Sequence, residues 1–155
     1  MSHEQRLAEL GITLPEVAAP VAAYVPAVQT GRYVYTSGQL PFTAGTLAAT
    51  GKVGEGEGLV SPDDAAGYAR ICALNALAAV RSVTGSLDAV SRIVKVVGFV
   101  ASDPAFTGQP GVINGASTVL GEIFGDAGLH ARSAVGVAVL PLDAPVEVEL
   151  VVELA

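Results

Sequence analysis

His130-Ala131-Arg132-Ser133-Ala134-Val135-Gly136-Val137-Ala138-Val139-Leu140-Pro141, followed by Val146-Glu147-Val148-Glu149-Leu150, is the stretch whose reading decides the fold. It predicts two adjacent strands joined by a short polar turn around Asp143-Ala144-Pro145. In the last strand Val146, Val148, Leu150, Val152 and Leu154 share one face, and Glu147, Glu149, Val151 and Glu153 share the other. Arg132 stands at the mouth of an otherwise apolar strand, where a guanidinium is costly unless an anionic group meets it, so an acidic partner is expected. In a simple hairpin Arg132 and Glu147 have opposite parity and face different sides. They can share a pocket only at an interface or through a bulge.

Working outward, Val112 to Phe124 reads as a helix with Val112, Ala116, Val119, Leu120 and Ile123 on one face. Gly125 stops it, and Asn114-Gly115 weakens its first turn. Before it, Val90 to Ala101 is apolar almost without interruption, as expected of a strand at a sheet centre, with Arg92 and Lys95 near its start. Ser61-Pro62-Asp63-Asp64 is a helix start, with a serine cap, proline in the first position and acids against the positive helix end. That helix is expected to run to about Thr84 and stop at Gly85, with small residues such as Ala69, Cys72, Ala73 and Ala76 packed on a sheet.

Segments 24–29 and 32–39 read as strands around Thr30-Gly31, with a further short strand near 46–49. Residues 2–10 form a short amphipathic helix, stopped by Gly11 and Pro15, and look like an appendage within an N-terminal extension of residues 1–20. The four glycines of Gly51 to Gly58 do not make a phosphate loop. Leu59 stands where the last glycine of G-x-G-x-x-G belongs, no Gly-Lys-Ser/Thr follows, and Glu55 and Glu57 repel phosphate. The result is one α+β domain over 1–155, of order ββαβαββ, with two helices on one face of a mixed sheet.

Composition narrows the function. Eight basic against fifteen acidic residues give a net charge of −7, the wrong sign for general nucleic-acid affinity. The basic residues are scattered, and the aromatic ones do not interleave with them. The apolar share of 51% exceeds what a monomer of 155 residues usually hides, which points to an oligomer. No apolar run approaches a membrane span and the polar start lacks a signal core, so a cytoplasmic protein is expected. Cys72 reads as a small buried hydrophobe, the alternative being a reactive thiol. Two histidines and one cysteine far apart offer no metal set, and neither a metal nor a cofactor is expected.

The Ala-Arg-Ser strand start at Ala131, the Leu140-Pro141 turn and the Glu-rich last strand resemble the YjgF or Rid family, the reactive-intermediate deaminases. Tyr24, Thr36-Ser37-Gly38-Gln39 with Leu40-Pro41, Asn114 and Glu147 extend the resemblance over about five sixths of the chain. It implies a chorismate-mutase-like fold, a homotrimer, and ligand sites in clefts between subunits. It further implies that Arg132 grips the carboxylate of a 2-imino or enamino acid, and that Tyr24, Ser37, Asn114, Ser133, Ala134 and Glu147 surround ligand or water. Ala134 stands where many deaminating relatives have cysteine, and His130 where proline is common, so the pocket is re-lined. Cys72 to Leu77, Val112 to Ser117 and His130 to Gly136 look closest to a branch with no settled substrate.

Chemistry supports the central part of that transfer. A planar guanidinium holds a carboxylate through two charge-assisted hydrogen bonds, which a lysine point charge does less well. An imine is already electrophilic, so hydrolysis needs an oriented water and a proton route, for which Glu147 is the candidate base. Each candidate has a plainer reading: a strand glutamate for Glu147, a structural ion pair for Arg132, and turn or backbone bonding for Ser37 and Asn114. Tyr24 is also compatible with an ordinary half-buried strand tyrosine, and His130 is either a specificity element or structural. Three functions follow: imine or enamine hydrolysis to a 2-oxo acid and ammonia, a non-catalytic trimer binding a small carboxylic metabolite, or the family's older label of ribonuclease or translation inhibitor. The acidic charge weighs against the third.

Overall fold

The computed structural model describes residues 1–17 and 22–155; the end of the expected N-terminal extension, at residues 18–20, and part of the following Pro/Ala-rich stretch lie outside the described residues. In chain order the elements are α1 (His3–Glu9), β1 (Ala27–Thr30), β2 (Tyr33–Thr36), β3 (Phe42–Thr43), β4 (Thr46–Leu47) and α2 (Pro62–Thr84). After these come β5 (Val90–Ala101), α3 (Gln109–Phe124), β6 (Ala131–Val137) and β7 (Val146–Leu154). Five strands form one mixed sheet in the order β1-β2-β7-β5-β6, and β3 pairs with β4 as a separate small hairpin. The α+β class and the mixed sheet stand as expected, with a third α-helix at the N-terminus.

The hairpin expected of the last two strands does not form. Strand β6 pairs in parallel with β5, and β7 pairs antiparallel with both β5 and β2, so β5 lies between β6 and β7. The chain leaves β5, crosses through α3 and returns beside β5 in the same direction, the usual outcome of a strand-helix-strand unit. A two-residue period fixes which face each side chain takes but not which strand lies next door.

Helix α2 starts and stops as its sequence demands. Ser61 Oγ accepts the Asp64 amide at 3.1 Å, Pro62 occupies the first turn, and Gly85 closes the helix with φ 80°. Helix α3 begins three residues earlier than expected, at Gln109 and Pro110. Asn114-Gly115 is no weak point: a Cβ at Gly115 would fall on the Ala66 carbonyl, so glycine lets α3 approach α2. Val112, Ile113, Ala116, Val119 and Leu120 are fully buried, with Leu77, Ile93, Val96, Val148 and Leu150 in the same core. Register shifts break the β5–β7 ladder between Val90 and Arg92 and between Ile93 and Lys95, where the charged side chains interrupt the apolar run.

The N-terminal helix is docked rather than appended. Leu7 and Leu14 are buried, Glu4 Oε1 accepts the Leu87 amide at 2.9 Å, and Arg6 Nε donates to the Glu122 carbonyl at 2.9 Å. The sequence pattern showed its amphipathicity but not the surface that receives it. Among the described residues no helix is long and apolar enough to cross a membrane.

The helices cover one face of the sheet. On the other, register places Val28 beside Tyr35, Tyr35 beside Val151, Val97 beside Glu149, and Phe99 between Glu147 and Val135. Val28, Tyr35 and Val135 on this face are exposed.

Candidate functional site

Arg132 is the second residue of β6 and registers with Val96 of β5, a core residue beneath the helices. Its side chain therefore turns to the helix face, where the N-terminal half of α3 receives it. Nη1 donates to Asn114 Oδ1 at 2.8 Å and to Ser117 Oγ at 3.2 Å, and Nη2 donates to the Pro110 carbonyl at 3.3 Å. The expected acidic partner is not there: among the described residues Arg132 makes no ion pair, and its acceptors are all neutral oxygens. Three of its five N–H donors are occupied. Nε and one of the two Nη2 protons have no acceptor among the described residues, which leaves donor capacity for a carboxylate.

One of these acceptors is itself held by a further side chain. Ser117 Oγ lies 2.9 Å from His130 Nε2, and His130 Nδ1 lies 2.6 Å from the Gly128 carbonyl oxygen. Ser117 was not singled out from the sequence as a site residue. It stands one turn after Asn114 on the same helix face, the spacing at which two side chains can serve one guanidinium.

Glu147 faces the other way. It registers with Phe99 on the open face of the sheet, three residues along β5 from the partner of Arg132. Strand rise and spacing put the two Cα atoms about 14 Å apart, on opposite faces. The opposite parity thus holds although the hairpin on which it was reasoned does not. Beside Glu147 runs the chain after β2, tied down where Gln39 and Val148 exchange backbone hydrogen bonds at 2.8 and 3.0 Å. A Cβ at Gly38 would overlap the Glu147 carboxylate, so glycine here leaves that side chain its place. Burial, and to a smaller extent the charge of Glu149, raise the Glu147 carboxyl above its usual range.

Of the other candidates, Ser37 lies just past β2, beside Gly38, with its Oγ donating to the Val25 carbonyl at 2.6 Å and its amide to the Pro26 carbonyl at 2.8 Å. Tyr24 is not in the first strand: β1 begins at Ala27, after Pro26, and exposed Tyr24 sits in the bend before it. Proline at 26 removes a backbone donor and sets that later start. Ser133 registers with Val97 on the open face, whereas Ala134 registers with Gly98 on the helix face and packs on the core. The chain therefore holds two separate groups of candidate residues, Arg132 with Asn114, Ser117 and His130 on one face, and Glu147 with Gly38 and the neighbouring Ser37 on the other. Asn75, fully buried on α2, braces the second by donating at 3.1 Å to both the Leu40 and Phe42 carbonyls. Cys72 is buried, its thiol pushed well up by burial.

Protein TCP17 from Trypanosoma cruzi is 44% identical over 149 residues, spanning 96% of this chain and 91% of that protein. Atu1372 of Agrobacterium tumefaciens, a protein of unknown function, is 44% identical in its crystal structure, which superposes with a TM-score of 0.88 over 99% of this chain and 92% of that one. More distant is Escherichia coli TdcF, crystallised with bound serine, at 26% identity and a TM-score of 0.65 over 92% of this chain and 96% of that one. The family profile described as "YjgF/chorismate_mutase-like, putative endoribonuclease" matches residues 4–154, and the chain belongs to that family.

Proposed function

We infer that the protein hydrolyses small imines or enamines bearing a carboxylate, releasing a 2-oxo acid and ammonia, in clefts between the subunits of a homotrimer. The observation that carries this reading is Arg132, a guanidinium anchored by three neutral acceptors, without an acid of its own among the described residues, and with donors to spare. A small carboxylate satisfies those donors in two charge-assisted bonds and holds the attached imine carbon in place. The serine bound to TdcF is a carboxylate-bearing ligand of the same size class.

The proposed hydrolysis uses Glu147 from a neighbouring copy, because the sheet separates it from Arg132 within one protomer. Glu147 takes a proton from water as oxygen adds to the imine carbon. With the imine entering protonated, the resulting carbinolamine is neutral; Glu147 returns the proton to nitrogen, the C–N bond breaks to release ammonia, and the hydroxyl proton passes back to Glu147 as the carbonyl forms. Its raised carboxyl suits both halves of that exchange nearer neutrality than an ordinary glutamate. The exposed Val28, Tyr35 and Val135 on the open face supply the apolar surface such an assembly buries.

The test generates imino acids in situ with an amino acid oxidase or a PLP-dependent dehydratase and follows 2-oxo acid release with and without the protein. Faster release is expected. Release at the buffer rate across small, branched and aromatic imines overturns catalysis and leaves a trimer that binds a carboxylic metabolite.

A further inference from the structure

Ser117 and His130 take no part in the hydrolysis above, yet their hydrogen bonds form a continuous chain to Arg132. A carbonyl oxygen only accepts, so His130 Nδ1 carries the proton in its 2.6 Å bond to Gly128. In the uncharged ring Nε2 is then the acceptor, and the Ser117 hydroxyl donates to it across 2.9 Å. With its proton committed, Ser117 Oγ can only accept from Arg132 Nη1, as the 3.2 Å contact requires. In the uncharged ring, the polarities of the chain follow from that one backbone carbonyl. The pair resembles a nucleophile and its base, but the Ser117 oxygen already accepts a guanidinium proton, which withdraws the electron density an attack needs.

We propose that His130 and Ser117 are positioning residues that orient Arg132, so that the Nε and Nη2 edge faces a carboxylate ligand. The proposal rests on the carboxylate reading for the identity of the ligand, but not for the relay itself. Both relay residues are half-buried, and both Nη1 protons are consumed by Asn114 and Ser117. Removing the Ser117 hydroxyl leaves the guanidinium held only by Asn114 and the longer 3.3 Å contact to the Pro110 carbonyl, so its plane is less firmly fixed. The selected geometry is then lost although the charge stays.

The experiment uses the full chain, nitrogen-15 labelled, and reads the Arg132 Nε–H resonance by NMR, assigned by its disappearance in Arg132→Lys. Pyruvate affinity is measured on the same samples. In Ser117→Ala, the Arg132 Nε proton should exchange with water about tenfold faster, and pyruvate should bind about tenfold more weakly, as expected for loss of one bond to a charged group. The other arginine resonances and the melting temperature should stay put. Ser117→Thr, which keeps the hydroxyl, should restore both readings. His130→Gln can place an acceptor where Nε2 stood and should retain Arg132 order, whereas His130→Asn can reach only Gly128 and should lose it. Unchanged exchange and affinity in Ser117→Ala overturn the relay, and should His130→Asn fail to fold, the serine pair decides alone. A wild-type protein that binds no pyruvate overturns the carboxylate reading instead, while the exchange measurements still decide the relay.

Discussion

Arg132 presents five donors and spends three of them on α3, so its effect on a ligand depends on shape as well as charge. Arg132→Lys should keep the fold and lose roughly 1.5–3 kcal/mol of 2-oxo acid affinity, the worth of charge-assisted bonding. Titration calorimetry checks this, and an unchanged affinity would show that Arg132 serves structure. For Glu147, replacement by glutamine preserves size but removes the proposed base. Turnover should fall roughly 10²–10⁴-fold, with 2-oxo acid affinity little changed. The same substitution tests the electrostatics. Because burial raises the Glu147 carboxyl, the folded protein holds that proton more tightly than the unfolded chain does. Its stabilising contribution is complete below the usual value of 4.5 and fades as pH rises through the raised one. Glu147→Gln should therefore gain in melting temperature relative to wild type between pH 4.5 and neutrality, and a difference that does not vary with pH would contradict the assignment.

At the level of elements, the contact of α2 with α3 sets where Asn114 and Ser117 stand over β6. Gly115 fits there because the Ala66 carbonyl occupies the space of a Cβ. Gly115→Ala meets backbone rather than a yielding side chain, so the helices must separate, at an expected cost of about 1–3 kcal/mol. Chemical denaturation measures that cost, and the same separation should loosen Arg132 from its acceptors. A stability equal to wild type would mean that the helices shift without penalty. Strand β5 has a comparable role in the sheet. By standing between β6 and β7 it puts two strand spacings between the candidate carboxylate anchor and the candidate base.

For the molecule as a whole, the open sheet face is the surface on which the proposed trimer depends. It combines exposed Val28, Tyr35 and Val135 with the two rows that carry Glu147 and Glu149. The proposed trimer should scatter light as three chains of 15.5 kDa at micromolar concentration. Val135→Asp puts an uncompensated charge on that face and should shift the mass toward one chain, with imine hydrolysis lost in parallel. A fully active monomer would bring both groups of candidate residues into one site within a single protomer by a route that the strand register does not provide.

The local features were legible because their causes are local. The capped and glycine-closed α2, the apolar run of β5 and the alternation of β7 each follow from neighbouring residues, and the Arg132 motif could be recognised without coordinates. Even the opposite facing of Arg132 and Glu147 followed from parity. The wrong partner for β6, the supposed appendage at α1 and the missing acid beside Arg132 have a common origin, since each concerns residues distant in sequence. Alternation says which face a side chain takes, whereas the neighbour across a sheet is chosen by the competition among all strands for burial and hydrogen bonds. Likewise Ser117 meets Arg132 only because the crossover from β5 through α3 lays its helix over β6. Sequence by itself determined the elements, their faces and the family; only the tertiary structure decided which residues stand around the guanidinium, because that depends on packing between segments the chain does not connect directly.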